Sequence, residues 1–121
     1  MDKPILKPLD KNLYEVVEDY SLLFNTGERI TVPAGYKTNG ADIPRLLWRL
    51  FPPNSPEYMP AVVVHDYLCD MADELVDKKE RKQAFFEADC VFNQILRKLG
   101  VGVLKRQLFY RAVRLHHVIR N

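Results

Sequence analysis

A chain of 121 residues is the size of one ordinary domain, and with 47% hydrophobic and 28% charged residues it can bury a core of its own, which excludes disordered and fibrous classes. A formal charge of +2 is too small to mark a nucleic-acid or membrane-surface binder from composition alone. The longest aliphatic run before His65 is Ala61 to Val64, far short of the roughly 20 apolar residues a bilayer-spanning helix needs, so no transmembrane segment is expected.

The opening "MDKPILKPLD" carries acids and two prolines where a secretory signal needs a basic start and an apolar stretch. Synthesis in a reducing cytoplasm is therefore expected, with Cys69 and Cys90 reduced and serving as packing residues. Residues 1–11, with Pro4 and Pro8 and no periodicity, read as an extended arm. "NLYEVVEDYSLLF" is rich in Tyr, Val and Phe and suits a strand; Asn25-Thr26-Gly27-Glu28 is a turn signal; "RITVPAG" resumes the strand pattern until Pro33. Residues 12–34 are thus a β-hairpin or small antiparallel sheet. A loop over 35–43 follows, in which Asn39 and Gly40 tolerate positive φ.

"PRLLWRLFPP" is a short helix opened by Pro44, closed by Pro52-Pro53 and carrying Trp48, which with Tyr58 is assigned to packing. Pro60 opens the next helix, which runs to about Ala72. The charged linker "DELVDKKERK" leads into a long helix ending near Leu99, stopped by Gly100 and Gly102, and a last helix covers about Val103 to Ile119. Strands first and helices after predict a single α+β domain, with residues 44–119 its helical part.

"VVVHDYLCD" puts a histidine and an aspartate directly after three valines. On a helix beginning at Pro60, His65 shares an apolar face with Ala61, Leu68, Cys69 and Ala72, while Asp66 lies about 100° round with Val62, Val63, Asp70 and Asp73. On the long helix Asp89 borders the core between Phe85, Phe92 and Leu96, where a carboxylate is costly without a donor. Packing the two helices antiparallel predicts that Asp89 accepts a hydrogen bond from His65. Such a pair is either a satisfied core hydrogen bond or the base and orienter of a hydrolase, in which the second imidazole nitrogen activates water. In the hydrolase reading Asp66 joins loop residues Asn39, Gly40 and Asp42 around a hard cation such as calcium. Asp70, Asp73 and Asp77 read as a solvated face, and Cys69 as a small buried thiol rather than a nucleophile.

On the last helix Leu104, Leu108, Ala112, Leu115 and Ile119 form the stripe expected to be buried. Arg106, Tyr110, Arg114 and His117 line the opposite side, a basic and aromatic face suited to phosphates or an acidic protein surface, or simply a solubilising face.

"VPAGYKTNGADIPRLLW", "PAVVVHDYLC" and "EADCVF" resemble, in that order, the signature blocks of a domain-of-unknown-function family carried by tailed phages and prophages, over about residues 28–96. The chain departs from that pattern at Asn39, where the family has an acid, at Asp42, where it has a serine, and at Cys69, where it has a tyrosine. The His-Asp helix is also similar to that of the secretory phospholipases A-two. That resemblance implies His65 as base, Asp66 as calcium ligand and Asp89 as the orienter of His65. Their disulfides and calcium-loop consensus are missing.

Together these features favour a phage or prophage accessory or virion-associated protein, in an assembly or adaptor role, with phage structural or assembly proteins as partners and nucleic acid a weaker alternative. A small metal-assisted hydrolase using calcium is the second reading.

Overall fold

The computed structural model describes residues 3–10, 13–24, 26–38 and 58–120. The short helix expected around Trp48 and the loop residues Asn39, Gly40 and Asp42 lie outside the described residues. Among those described the architecture is α+β, with small antiparallel sheets followed by three helices.

Strand β1 (Leu6–Asp10) pairs antiparallel with β2 (Leu13–Val16), which pairs in turn with the two-residue β5 (Lys37–Thr38). The segment read as an arm is therefore largely a strand. Its Pro8 is tolerated because β1 is an edge, and the register shifts between Pro8 and Asp10. The single strand expected through residues 12–24 is broken, and its second half, β3 (Tyr20–Leu23), forms a separate hairpin with β4 (Arg29–Val32). The break has a side-chain cause: Asp19 Oδ1 accepts the Ala34 N–H at 2.8 Å, tying the bend to the turn after β4. In that turn Gly35 sits at φ +92° and donates to the Val16 carbonyl at 2.7 Å, a left-handed conformation that a side chain would strain. Val16, Tyr20, Leu22 and Val32 point inward.

Helix α1 (Met59–Asp73) starts with Pro60 in its first turn, as read from the sequence. Helix α2 (Lys78–Lys98) begins earlier than the charged run suggested, because Asp77 caps it by accepting the Glu80 N–H at 2.9 Å. It ends in a Schellman motif: Gly100 N–H reaches Arg97 O at 3.1 Å and Val101 N–H reaches Leu96 O at 3.0 Å, with Gly100 at φ +85°. Helix α3 (Val103–Arg120) then returns along α2.

Helix α1 packs on α2 and also touches β4 and β5, so its first two turns have protein on every side. Every residue from Met59 to Asp66 is buried. This accounts for an apolar run that carries both a histidine and an aspartate: the two face different layers.

Helix α3 is turned opposite to expectation. Phe109, Val113 and His117 are buried, whereas Leu104, Leu108, Leu115 and Ile119, expected inside, are exposed. The leucine spacing is a good helical stripe, but the other face carries the groups that satisfy Asp89, and burying those decides the rotation. Val113→Ala is accordingly expected to lower unfolding free energy by about 2 kcal/mol, and Leu115→Ala to change it by less than about 0.5 kcal/mol. Urea unfolding of the two variants checks this; the reverse ranking would restore the expected rotation.

Candidate functional site

The expected meeting of α1 and α2 is present. His65 Nε2 lies 2.7 Å from Asp89 Oδ1, both side chains at 0% exposure. The second oxygen is engaged from α3, by Arg114 Nη1 at 2.9 Å and His117 Nδ1 at 2.8 Å. One carboxylate thus collects donors from both neighbouring helices.

Burial alone would raise the Asp89 pKa, but the hydrogen bonds from His117 and His65, reinforced by the charge on those rings, outweigh it and hold the carboxyl at about 2. Asp89 is therefore ionised at neutral pH. An ionised carboxylate only accepts, so His65 donates from Nε2 and His117 from Nδ1. The ring of His65 packs against Phe92 with centroids 4.6 Å apart, and that of His117 against Phe85 at the same distance. Cys69, one turn after His65, brings its Sγ to 3.6 Å from His65 Nε2 and 3.7 Å from His117 Nε2. His65, Cys69, Asp89 and His117 each offer one donor atom, all within 4.8 Å of one another.

The nitrogen that a hydrolase would need is His65 Nδ1, which is buried and has no hydrogen-bond partner among the described residues. A cavity of about 110 Å³ reaches the outer side of the cluster, lined by Lys82, Phe85, Arg114, His117 and Val118. A roomier one, about 540 Å³, lies between the β3–β4 hairpin and the α1–α2 pair; neither His65 nor Asp89 lines it.

Asp66 faces the other layer. It is buried and accepts a hydrogen bond from the Thr38 hydroxyl at the end of β5, while one turn on Asp70 accepts from Tyr36 Oη at 2.6 Å. The acid read as a calcium ligand thus fastens helix to sheet; the proposed co-ligands Asn39, Gly40 and Asp42 lie outside the described residues. Asp70, read as part of a solvated face, is the outer member of the same seam.

The four residues of the basic face are placed differently from one another. His117 is 2% exposed and belongs to the Asp89 cluster, so it is not available to a partner. Arg114 is partly buried on Asp89 and lies over the Phe86 ring at 5.0 Å. Arg106 donates from Nε to the Val101 carbonyl at 3.0 Å, closing the α2–α3 connection. Tyr110 is half-buried beside Cys90, and burial together with that thiol pushes its phenol upward. The sequence reading found His65 and Asp89 and put Cys69 on the His65 face, but it did not bring Arg114 and His117 to Asp89. Arg114 and His117 are one turn apart, and Asp89 had a second oxygen to satisfy, which was the available signal.

Asp89→Asn is expected to cost about 3 kcal/mol of stability, because it removes the charge that Arg114 and the two rings face. Asp73→Asn, on an exposed carboxylate, is expected to change it by less than about 0.5 kcal/mol. Thr38→Val is expected to cost about 2 kcal/mol by removing a donor to a buried carboxylate. Chemical denaturation followed by circular dichroism measures all three, and an Asp89→Asn protein as stable as the parent would contradict the account of the cluster.

No helix among the described residues is long and apolar enough to cross a membrane. No solved structure matches the chain. An uncharacterized protein of Sinorhizobium fredii (strain NBRC 101917 / NGR234), y4jT, is 36% identical over 102 residues; the match takes in 84% of this chain and 28% of the relative's length. The model of the family described as "Protein of unknown function (DUF1353)" matches residues 14–113, most of the sequence and all of the cluster but His117 and Arg114, and the chain belongs to that family.

Proposed function

We propose that the chain is a non-catalytic assembly or adaptor module encoded by a tailed phage or prophage, which docks on a phage structural or assembly protein through the outer face of α3. The observation that carries this reading is the rotation of that helix. Leu104 is 85% exposed, Leu115 61% and Ile119 75%, with Leu108 and Val118 on the same side. Exposed apolar side chains gathered on one helix face suit a protein contact. Exposed Arg111 lies within this face, one turn from both Leu108 and Leu115, and exposed Lys105 lies at its edge, so the complementary partner surface is apolar with acidic groups set into it. Arg106 and Arg114 hold groups of this chain, which leaves the binding to the leucines rather than to a basic face and gives nucleic acid little to grip. The phage assignment rests on the resemblance of the three sequence blocks, and the presence of a related segment within a much longer relative suits a module. Synthesis in the host cytoplasm and delivery to the particle or an assembly intermediate belong to the same proposal.

The second reading, a calcium-assisted hydrolase with His65 as base, Asp89 as orienter and Asp66 as ligand, is the one the phospholipase likeness suggests. It needs water at His65 Nδ1, and the ring is 0% exposed. The adaptor reading is preferred on that ground.

The experiment is a pair of variants carried through prophage induction or infection. Leu108→Lys combined with Leu115→Lys is expected to abolish co-sedimentation with particles or assembly intermediates, with a melting temperature close to that of the parent. His65→Gln is expected to lower stability instead. Hydrolysis of a calcium-containing phospholipid dispersion by the parent protein, lost in His65→Gln while the fold persists, would replace the adaptor reading with the enzyme.

A further inference from the structure

We propose that His65, Cys69, Asp89 and His117 form a closed site for one divalent transition-metal ion of the zinc type, a clip joining all three helices. The donor types are the first argument. Two imidazoles, one thiol and one carboxylate suit zinc and its first-row neighbours, whereas calcium and magnesium require oxygen ligands. The spacing is the second. A tetrahedral ion with ordinary zinc–nitrogen and zinc–sulfur bonds separates those ligands by about 3.5 Å. Cys69 Sγ stands 3.6 Å from His65 Nε2 and 3.7 Å from His117 Nε2. The sulfur thus already stands from both nitrogens at the separation that two ligands of one ion have.

Asp89 supplies the fourth position through Oδ1. That oxygen is now 2.7 Å from His65 Nε2, a hydrogen-bond length, and the same pair bound to one ion stands about 3.3 Å apart. The ion takes the place of the hydrogen between them, and the carboxylate gives way by roughly half an ångström. Oδ2 keeps its present partners, and these make an outer shell: His117 Nδ1–H donates to it at 2.8 Å, which fixes the tautomer that leaves His117 Nε2 for the metal, and Arg114 donates at 2.9 Å. The Cys69 thiolate and the Asp89 carboxylate together match the two charges of the ion. Binding releases the Cys69 proton to solvent, and the hydrogen of His65 moves to Nδ1.

Burial separates a structural from a catalytic role. All four residues are at most 2% exposed, which suits a structural site whose ligands are all protein. A cavity bordered by Arg114, His117 and Val118 meets the cluster at His117. His65 Nδ1 is buried without a partner among the described residues, so moving the hydrogen there carries a cost that weakens affinity relative to a site with a complete outer shell.

The test uses the full chain. Metal content after purification without chelator is expected to be about one ion per chain. After chelation, titration with cobalt(II) is expected to give the strong visible bands of tetrahedral cobalt and a near-ultraviolet thiolate-to-cobalt band. Cys69→Ser is expected to lose the thiolate band and Cys90→Ser to keep it. Saturating zinc is expected to raise the melting temperature of the parent by roughly 10 °C and to leave that of His117→Gln unchanged. If a variant does not fold, the thiolate band of the parent and of Cys90→Ser decides. Purified protein without metal, no thiolate band on cobalt addition and no thermal shift with zinc would overturn the proposal, as would a band lost in Cys90→Ser.

Discussion

An ionised carboxylate with no exposure to water occupies the middle of α2, and its need for donors organises the helical half of the molecule. Asp89 has two oxygens, and each is claimed by a different helix: Oδ1 by His65 of α1, Oδ2 by Arg114 and His117 of α3. Desolvation opposes such an arrangement, and the hydrogen bonds from His117 and His65 offset it, holding the carboxyl below its ordinary range. Hydrogen bonds are directional in a way that apolar contact is not. Leucines tolerate a helix turned by part of a residue, but a bond of 2.7 Å to a buried imidazole does not. The cluster therefore fixes the rotation of α1 and α3 about α2, and the apolar surfaces fall where that rotation leaves them.

The neighbouring residues His65 and Asp66 divide the labour between layers. One faces the other helices; the next, about 100° round, takes a hydrogen bond from Thr38 at the end of β5. Asp70 continues the second seam through Tyr36. A helix with protein on both sides needs apolar residues almost all round, hence the valines, and it needs polar fasteners at two azimuths, hence the adjacent pair. Neither residue requires solvent to do this.

How much of this could be read in advance depended on whether the decisive signal was local. The first turn of α1, its facing, the end of α2 at Gly100 and the position of Asp89 among Phe85, Phe92 and Leu96 all follow from spacing within one segment, and all were legible. The meeting of His65 with Asp89 was legible because a core carboxylate demands a donor and few histidines were on offer. The strand break at 17–19 was not, since it is set by Asp19 reaching the Ala34 amide fifteen positions away. β1 was not, because Pro4 and Pro8 hide a strand that only the edge of a sheet can accept. The last helix misled for a deeper reason. Hydrophobic periodicity ranks Arg114 and His117 as outward residues, and it has no means of knowing that a buried acid on another helix has already satisfied them.

That error has a physical residue on the surface. A helix of eighteen residues has two faces that could be called apolar here, one built of Leu104, Leu108, Leu115 and Ile119, the other of Phe109 and Val113 interrupted by polar groups. Counting apolar area alone, the leucine face belongs inside. It stays outside because turning it in would strand the Asp89 carboxylate without Arg114 and His117, and an uncompensated buried charge outweighs the transfer of a few leucines. The chain therefore carries to its surface apolar groups that its own core cannot use. Surface of that kind lowers solubility, and here it is the consequence of the polar groups that the opposite face must bury.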